Sequence, residues 1–197
     1  GPQRSETALR TALAMGADKA VLIDSDTAGA ELDEYAVSHI LAAAARKFPF
    51  DLILCGNSTI DGGSAQTGPR LAELLDIPHV MAVTKVELLD GKAIVERDVE
   101  GDTEKIEAAL PVLLTTQQGL NEPRYPTTAG NLKAKRKPLD ILSVADLAVD
   151  AELIKSKTER IELALPKPKK AGQILSGTLN EQVKQLAHLL VDVENVI

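Results

Sequence analysis

The stretch whose residue types most suggest chemistry is CGNSTIDGGSAQTGP, residues 55–69. Four glycines are spaced among one acid and a set of hydroxyl and amide side chains. The stretch follows the apolar run DLILC and precedes RLAELL, which reads as helix. A loop that leaves a parallel strand at its carboxyl end and enters a helix turns unpaired backbone N–H groups toward whatever lies above the sheet. The helix amino end adds partial positive charge there, which favours a phosphate. Gly56, Gly62, Gly63 and Gly68 permit positive φ and close approach of backbone. Ser64, Gln66 and Thr67 carry donors for phosphate or ribose, and Pro69 fits the first helical turn. Asp61 either accepts from a ribose hydroxyl or pins the loop through an Asx turn. No lysine follows a glycine at P-loop spacing, and GxGxxG is absent. The residues alone leave two readings open: a phosphate cradle, or a long polar turn capped by Ser64 or Thr67.

Other reactive residue types form no constellation. His39 falls on a helical pattern, His79 follows a proline and His188 lies in a carboxyl-terminal helix, none beside a Ser/Asp or Cys partner. Each reads as structural or solvent-facing. Cys55 closes a buried strand and reads as an inert core thiol. The acids of VERDVEGDTEKIE fit the solvent face of a hairpin, and no general acid–base pair stands at useful spacing. These patterns point to a binder rather than a catalyst. A second unusual segment is LNEPRYPTTAGNLKAKRKPL, residues 120–139. Pro123 and Pro126 stiffen it, Tyr125 and Leu132 give it apolar content, and Lys133, Lys135, Arg136 and Lys137 make it locally basic. It reads as a solvated linker or as a partner-docking element.

These residues need elements to position them. Leu9, Ala12 and Leu13 predict a first helix ending at Gly16, followed by a strand from Ala20. Val37, Ile40, Leu41 and Ala44 predict a second helix, which Pro49 ends before the DLILC strand. Strand and helix in alternation predict an α/β fold, a parallel sheet with helices on both faces. Alternation on both sides of Asp90-Gly91 adds an antiparallel hairpin, and KIEAALPVLLTT supplies further strand. The chain opens on a helix where such a fold opens on a central strand, so a preceding strand and helix are expected. The organisation expected is an α/β domain over 1–119, a distinct segment over 120–137 and a carboxyl-terminal arm over 138–197. That arm ends in an amphipathic helix with Leu179, Val183, Leu186, Ala187 and Leu190 on one face, packed on its own domain or on a partner.

Bulk properties bound the function. The 197 residues are 44% hydrophobic and 26% charged, ordinary for a globular protein. A formal net charge of −7 argues against a nucleic-acid binder. Two Tyr, two Phe and no Trp leave no stacking platform for single strands. One cysteine excludes an internal disulfide or a multi-cysteine metal site and fits a reducing, intracellular compartment. No apolar run has the length of a membrane span.

Several long motifs, in order, give the chain a family resemblance. LRTALAMGADKAVLI, DLILCGNSTIDGGSAQTGPRLAELL, VERDVEGDTEKIE, LPVLLTTQQGLNEPRYP and KAKRKPL together closely resemble the β (small) subunit of electron transfer flavoprotein, nearly end to end. DGGSAQTGP and KKAGQILSG are most similar to bacterial members. The resemblance implies an adenine-nucleotide α-hydrolase-like, Rossmann-like domain in a heterodimer whose α subunit holds the redox-active FAD. It implies a nucleotide loop from Gly56 to Thr67 that binds AMP, or a second FAD in electron-bifurcating members. The backbone of Gly56 and Asn57 opens that loop, and Ser58, Thr59 and Ile60 continue it. Asp61, Gly62, Gly63, Ser64, Ala65, Gln66 and Thr67 wrap phosphate and ribose.

The resemblance also implies a recognition loop over 120–137 for flavin dehydrogenases. Its contacts would be Leu120, Asn121, Glu122, Pro123, Arg124, Tyr125, Leu132 and Lys133. Thr128 stands where the family presents an anchoring leucine, and Asn131 where an apolar residue is usual. Asp98 falls at a family acid near the flavin interface, toward the α subunit. The implied role is electron shuttling from dehydrogenases, such as the acyl-CoA dehydrogenases of fatty acid oxidation, to a respiratory acceptor. No catalytic residue or metal is implied. The implied setting is the bacterial cytoplasm, with the mitochondrial matrix as the alternative. A stand-alone adenine-nucleotide module and a purely structural interaction domain are the readings from other classes.

Overall fold

The computed structural model describes residues 1–168, 172–193 and 196. They form two compact units, Gly1–Glu159 and Arg160–Ile197. In the first unit the elements run α1 (Glu6–Met15), β1 (Ala20–Asp24), α2 (Glu34–Ala45), β2 (Leu52–Gly56) and α3 (Thr67–Leu75). They continue with β3 (His79–Leu89), β4 (Lys92–Val99), β5 (Asp102–Ala109), β6 (Val112–Thr116), α4 (Thr128–Ala134) and β7 (Leu139–Ser143). Each helix and strand named from the sequence pattern is present, and α4 and β7 are additional.

The parallel sheet is divided. β1 pairs in parallel with β7 as a two-stranded sheet, while β2-β6-β3-β4-β5 form a second. In the second, β2, β6 and β3 run parallel, and β3, β4 and β5 antiparallel, with the hairpin turning at Asp90-Gly91 as its turn residues predict. Among the described residues, β1 and β2 each pair with another strand along one side. At the other edge of β1, Gly1 makes a parallel bridge: its nitrogen donates to Ile23 O (2.8 Å) and its carbonyl accepts from Ser25 N (3.0 Å).

Alternation along the strands divides the core. On β2 and β6, Leu52, Val112 and Leu114 point to a cluster with Val80, Val83, Ala93 and Val95 of the hairpin sheet. Ile53, Cys55 and Leu113 point the opposite way, onto Ala42 of α2 and Leu71 and Ala72 of α3. The small sheet has helices on both faces. Leu9 and Leu13 of α1 and Ala134 of α4 pack near Ala20 and Leu139, and Ile40 and Ala44 of α2 near Ile23 and Leu142.

α1 and α4 satisfy each other's carboxyl-terminal carbonyls. Arg10 donates to Ala134 O and Lys137 O (both 3.1 Å), while Lys137 Nζ donates to Leu13 O (3.1 Å) and Ala17 O (2.6 Å). Leu13 O and Ala134 O belong to the last turns of their helices, where carbonyls lack an intrahelical partner, and Ala17 O and Lys137 O lie just beyond. Gly130 allows the contact, since a Cβ there would lie 2.6 Å from Ala14 O.

The second unit contains α5 (Leu179–His188), which begins with a capping box between Thr178 and Glu181. The helix at the end of the expected arm is therefore present, and a wider π turn over Leu189–Val193 follows it. The boundary between units falls after Glu159. β7, which lies beyond the 120–137 segment, pairs inside the first unit.

Candidate functional site

The glycine-rich loop leaves the carboxyl end of β2, a strand parallel to β6, and enters α3 at Thr67. This is the crevice position at which open α/β sheets place ligands. α3 starts without a side-chain cap: Gln66 precedes it, and neither Ser64 nor Thr67 fills the capping role open to them in the sequence. Pro69 lies in the first turn, as expected. Because α3 is uncapped, the amides of Thr67 and Gly68 have no partner among the described residues. These two N–H groups lie in the first turn of α3, at the positive end of the helix dipole, with Thr67 half-buried and Gly68 buried.

The glycine amides behave differently. Gly62 N donates to Thr59 Oγ1 (3.1 Å) and Asp61 Oδ1 (2.9 Å), and Gly63 N donates to Thr59 O (2.9 Å). Both are consumed inside the loop, so Gly62 and Gly63 shape it rather than supply its donors. Gly63, at φ +63°, occupies a conformation that favours glycine, and Ala65 takes a similar one at +51°. Of the two roles open to Asp61, the structure shows the pinning one. Bonding to Thr59 first, then to the backbone at Asp61 and Gly62, holds its carboxyl below the usual range. Ser58, Thr59, Ile60 and Ser64 are exposed, and Gly56 is exposed with open space where a Cβ would stand.

Thr115 is the residue of this site that the sequence does not flag. It sits on β6 beside Cys55 of β2 and is fully buried. β3 slips register against β6 between Val80 and Val83, and Ala82 in the slip has φ +56°. The displaced Ala82 N–H finds Thr115 Oγ1 at 3.0 Å in place of a ladder partner. Thr115 in turn donates to Asn57 Oδ1 at 2.9 Å. The available signal is a hydroxyl residue at a buried position of the apolar run VLLTT. Gly68 packs against the same side chain, where a Cβ would approach Thr115 Cγ2 to 2.6 Å.

Gln66 Oε1 accepts from Arg70 Nε (3.2 Å) and Nη2 (2.9 Å). Arg70 lies 5.9 Å from the Tyr35 ring centre and Lys157 Nζ lies 5.0 Å from it. His39 meets the same ring at 4.6 Å. Burial first, then the charges of Arg46, Lys157 and Arg70, pushes the His39 pKa down and keeps the ring neutral. Burial pushes the Cys55 thiol up, in keeping with an inert core thiol. Among the described residues no group of His, Cys, Asp or Glu is arranged to hold a metal.

The 120–137 segment is part loop, part helix. Leu120 packs against the hairpin-sheet core. Asn121, Glu122, Pro123, Arg124 and Tyr125 are exposed, Tyr125 at 88%. Thr127 caps α4 by accepting from Gly130 N (3.0 Å), so Thr128 is the first residue of a helix. Leu132, 62% exposed, and Lys133 lie on that helix. Asp98 is exposed on β4, 3.4 Å from the Thr103 hydroxyl, far in sequence from both segments. A separate cavity of about 1110 Å³ opens at the carboxyl end of β1, lined by Ile23, Leu32, Val37 and Ile40 with Gly1 and Pro2. The sequence offered no sign of it.

Comparison with known proteins decides the lineage. The electron transfer flavoprotein domain matches residues 1–147. The chain is 51% identical to the electron transfer flavoprotein subunit beta of Bacillus subtilis, over all of this chain and 77% of that protein. The chain belongs to the electron transfer flavoprotein β-subunit family. It is also 45% identical to the subunit beta of Thermoanaerobacterium thermosaccharolyticum, over 96% of this chain and 74% of that one. Another relative, 38% identical over 93% of this chain and 71% of its own, is the caffeyl-CoA reductase-Etf complex subunit CarD of Acetobacterium woodii. Family membership makes the chain an electron-transfer subunit of a flavoprotein and implies a heterodimer with an α subunit. No described helix is long and apolar enough to cross a membrane.

Proposed function

We propose that this subunit pairs with an FAD-carrying α subunit and shuttles electrons from flavin dehydrogenases to a respiratory acceptor, with AMP held structurally in the Gly56–Thr67 loop. The observation that carries the nucleotide reading is the pair of unpartnered amides at Thr67 and Gly68, at the amino end of α3 and beside a parallel strand end. The residues fit an anionic group: two backbone donors, the Asn57 amide and the Ser64 hydroxyl belong to the loop, with no acid but Asp61, whose exposed carboxylate is bonded to Thr59 and Gly62 of the loop itself. FAD, when bound, accepts and releases electrons, and this chain's part is to shield and position it. Asp98 would face the α subunit. In the 120–137 segment, exposed Arg124, Tyr125, Leu132 and Lys133 would meet the dehydrogenase, with Thr128 in the family's anchor position and Leu120 holding the segment to its own core. The setting proposed is the bacterial cytoplasm.

Coexpression with the α subunit of the same source tests the pairing. A yellow 1:1 complex on size exclusion is the expected result, and a colourless β subunit eluting alone would refute it. A second reading has one observation in its favour. The Acetobacterium woodii relative is named as part of a reductase–Etf complex, which suits an electron-bifurcating form with a second FAD in the loop.

A further inference from the structure

The Thr115 hydroxyl has one proton to donate and two lone pairs to accept with, and it is fully buried. Ala82 N–H can only donate, so at 3.0 Å it takes a lone pair. The proton then needs an acceptor, and the Asn57 side chain at 2.9 Å supplies it. With the Asn57 amide reversed, Nδ2 would face the hydroxyl and leave its buried proton without an acceptor, a costly arrangement. The atom facing Thr115 is therefore Oδ1. The two Nδ2 protons are then left for other acceptors, with no partner among the described residues.

We propose that Thr115 is a positioning residue of the nucleotide loop: through the Ala82–Thr115–Asn57 relay it fixes the Asn57 amide with its N–H groups outward, as donors to an anionic phosphate oxygen. This rests on the nucleotide reading above and adds the specificity element to it. The loop needs such a donor because the Gly62 and Gly63 amides are consumed by Thr59 and Asp61. At the carboxyl end of β2 the donors include the pair of α3 amides, the Ser64 hydroxyl and Asn57, the first side chain of the loop. The relay also accounts for a hydroxyl in the middle of the sheet. It converts a strand irregularity at Ala82 into a fixed side-chain orientation.

The test uses the heterodimer stripped of nucleotide, and measures rebinding of AMP and of adenosine, which lacks the phosphate. Thr115→Val is expected to weaken AMP at least about tenfold while adenosine changes little, and Thr115→Ser to restore it. Asn57→Asp keeps an acceptor for Thr115 but puts a negative oxygen where Nδ2 stood, so it too should lower the AMP-to-adenosine preference. A merely structural role would weaken both ligands together. Equal losses for AMP and adenosine, or wild-type AMP binding by Thr115→Val, would overturn the proposal and leave the nucleotide reading intact. A wild-type heterodimer that rebinds neither ligand would overturn the nucleotide reading, and the donor role with it. Should Thr115→Val not fold, the Asn57→Asp ratio decides.

Discussion

His39 shows what a lone histidine in this sequence is for. It stacks on Tyr35 within a ring of cations, and its pKa lies below the ordinary 6.5 because of burial and then of Arg46, Lys157 and Arg70. With a depressed pKa the folded state sheds the proton that the unfolded chain takes up below pH 6.5. The unfolded state then binds more protons, so stability is full above that pH and declines as pH falls. Urea midpoints of the wild type should drop between pH 7 and pH 5, and His39→Gln should remove part of that drop. Identical pH profiles for the two would contradict this account. The sequence left the residue as structural or solvent-facing because no catalytic partner stood nearby, and the surrounding charges come from three separate segments and could not be read from spacing. The loop followed the same rule. Its glycines and hydroxyls were legible as types, whereas the bonds of the Gly62 and Gly63 amides depend on the Thr59 and Asp61 side chains and on the Thr59 carbonyl, whose placement no residue type announces. Thr115 went unread because its partner Ala82 lies in a register slip that no residue pattern announces.

Elements here are joined by side chains that finish one another's ends. The basic run after α4 looked like a solvated charge patch, yet Lys137 reaches the carbonyls ending α1, and Arg10 returns the favour to α4. Spacing cannot show this, since the partners are more than a hundred residues apart. Asp33 does similar work at the amino end of α2. Its Oδ1 accepts from Ala36 N (2.9 Å), while Oδ2 accepts from Lys157 N (2.5 Å), Thr158 N (3.1 Å) and Thr158 Oγ1 (3.3 Å). One carboxylate thus caps a helix and clasps a distant segment. Asp33→Asn keeps the capping oxygen and replaces the clasping one by a donor. Amide exchange at Lys157 and Thr158 should then quicken at least about tenfold, with α2 unchanged. Unchanged protection at those two amides would contradict the clasp. The helices and strands themselves were legible because their apolar periods differ. The α4 helix was not, since its seven residues carry no apolar stripe and rest on the Thr127 cap and on Gly130 meeting α1.

For the molecule as a whole, alternation of strand and helix correctly implied an α/β fold, and Asp90-Gly91 correctly implied the antiparallel addition. The division into two sheets was illegible, because pairing between β1 and β7 links segments more than a hundred residues apart. The acidic chain belongs to an electron-transfer flavoprotein family. The central claim is that this β subunit contributes a structural nucleotide site to an FAD-bearing heterodimer. Denaturing the purified heterodimer and counting the released nucleotides tests it most directly. The account predicts one FAD and one AMP per heterodimer, with less AMP retained in Thr115→Val. Two FAD would favour the bifurcating reading, and a heterodimer that releases FAD but no second nucleotide would contradict the claim.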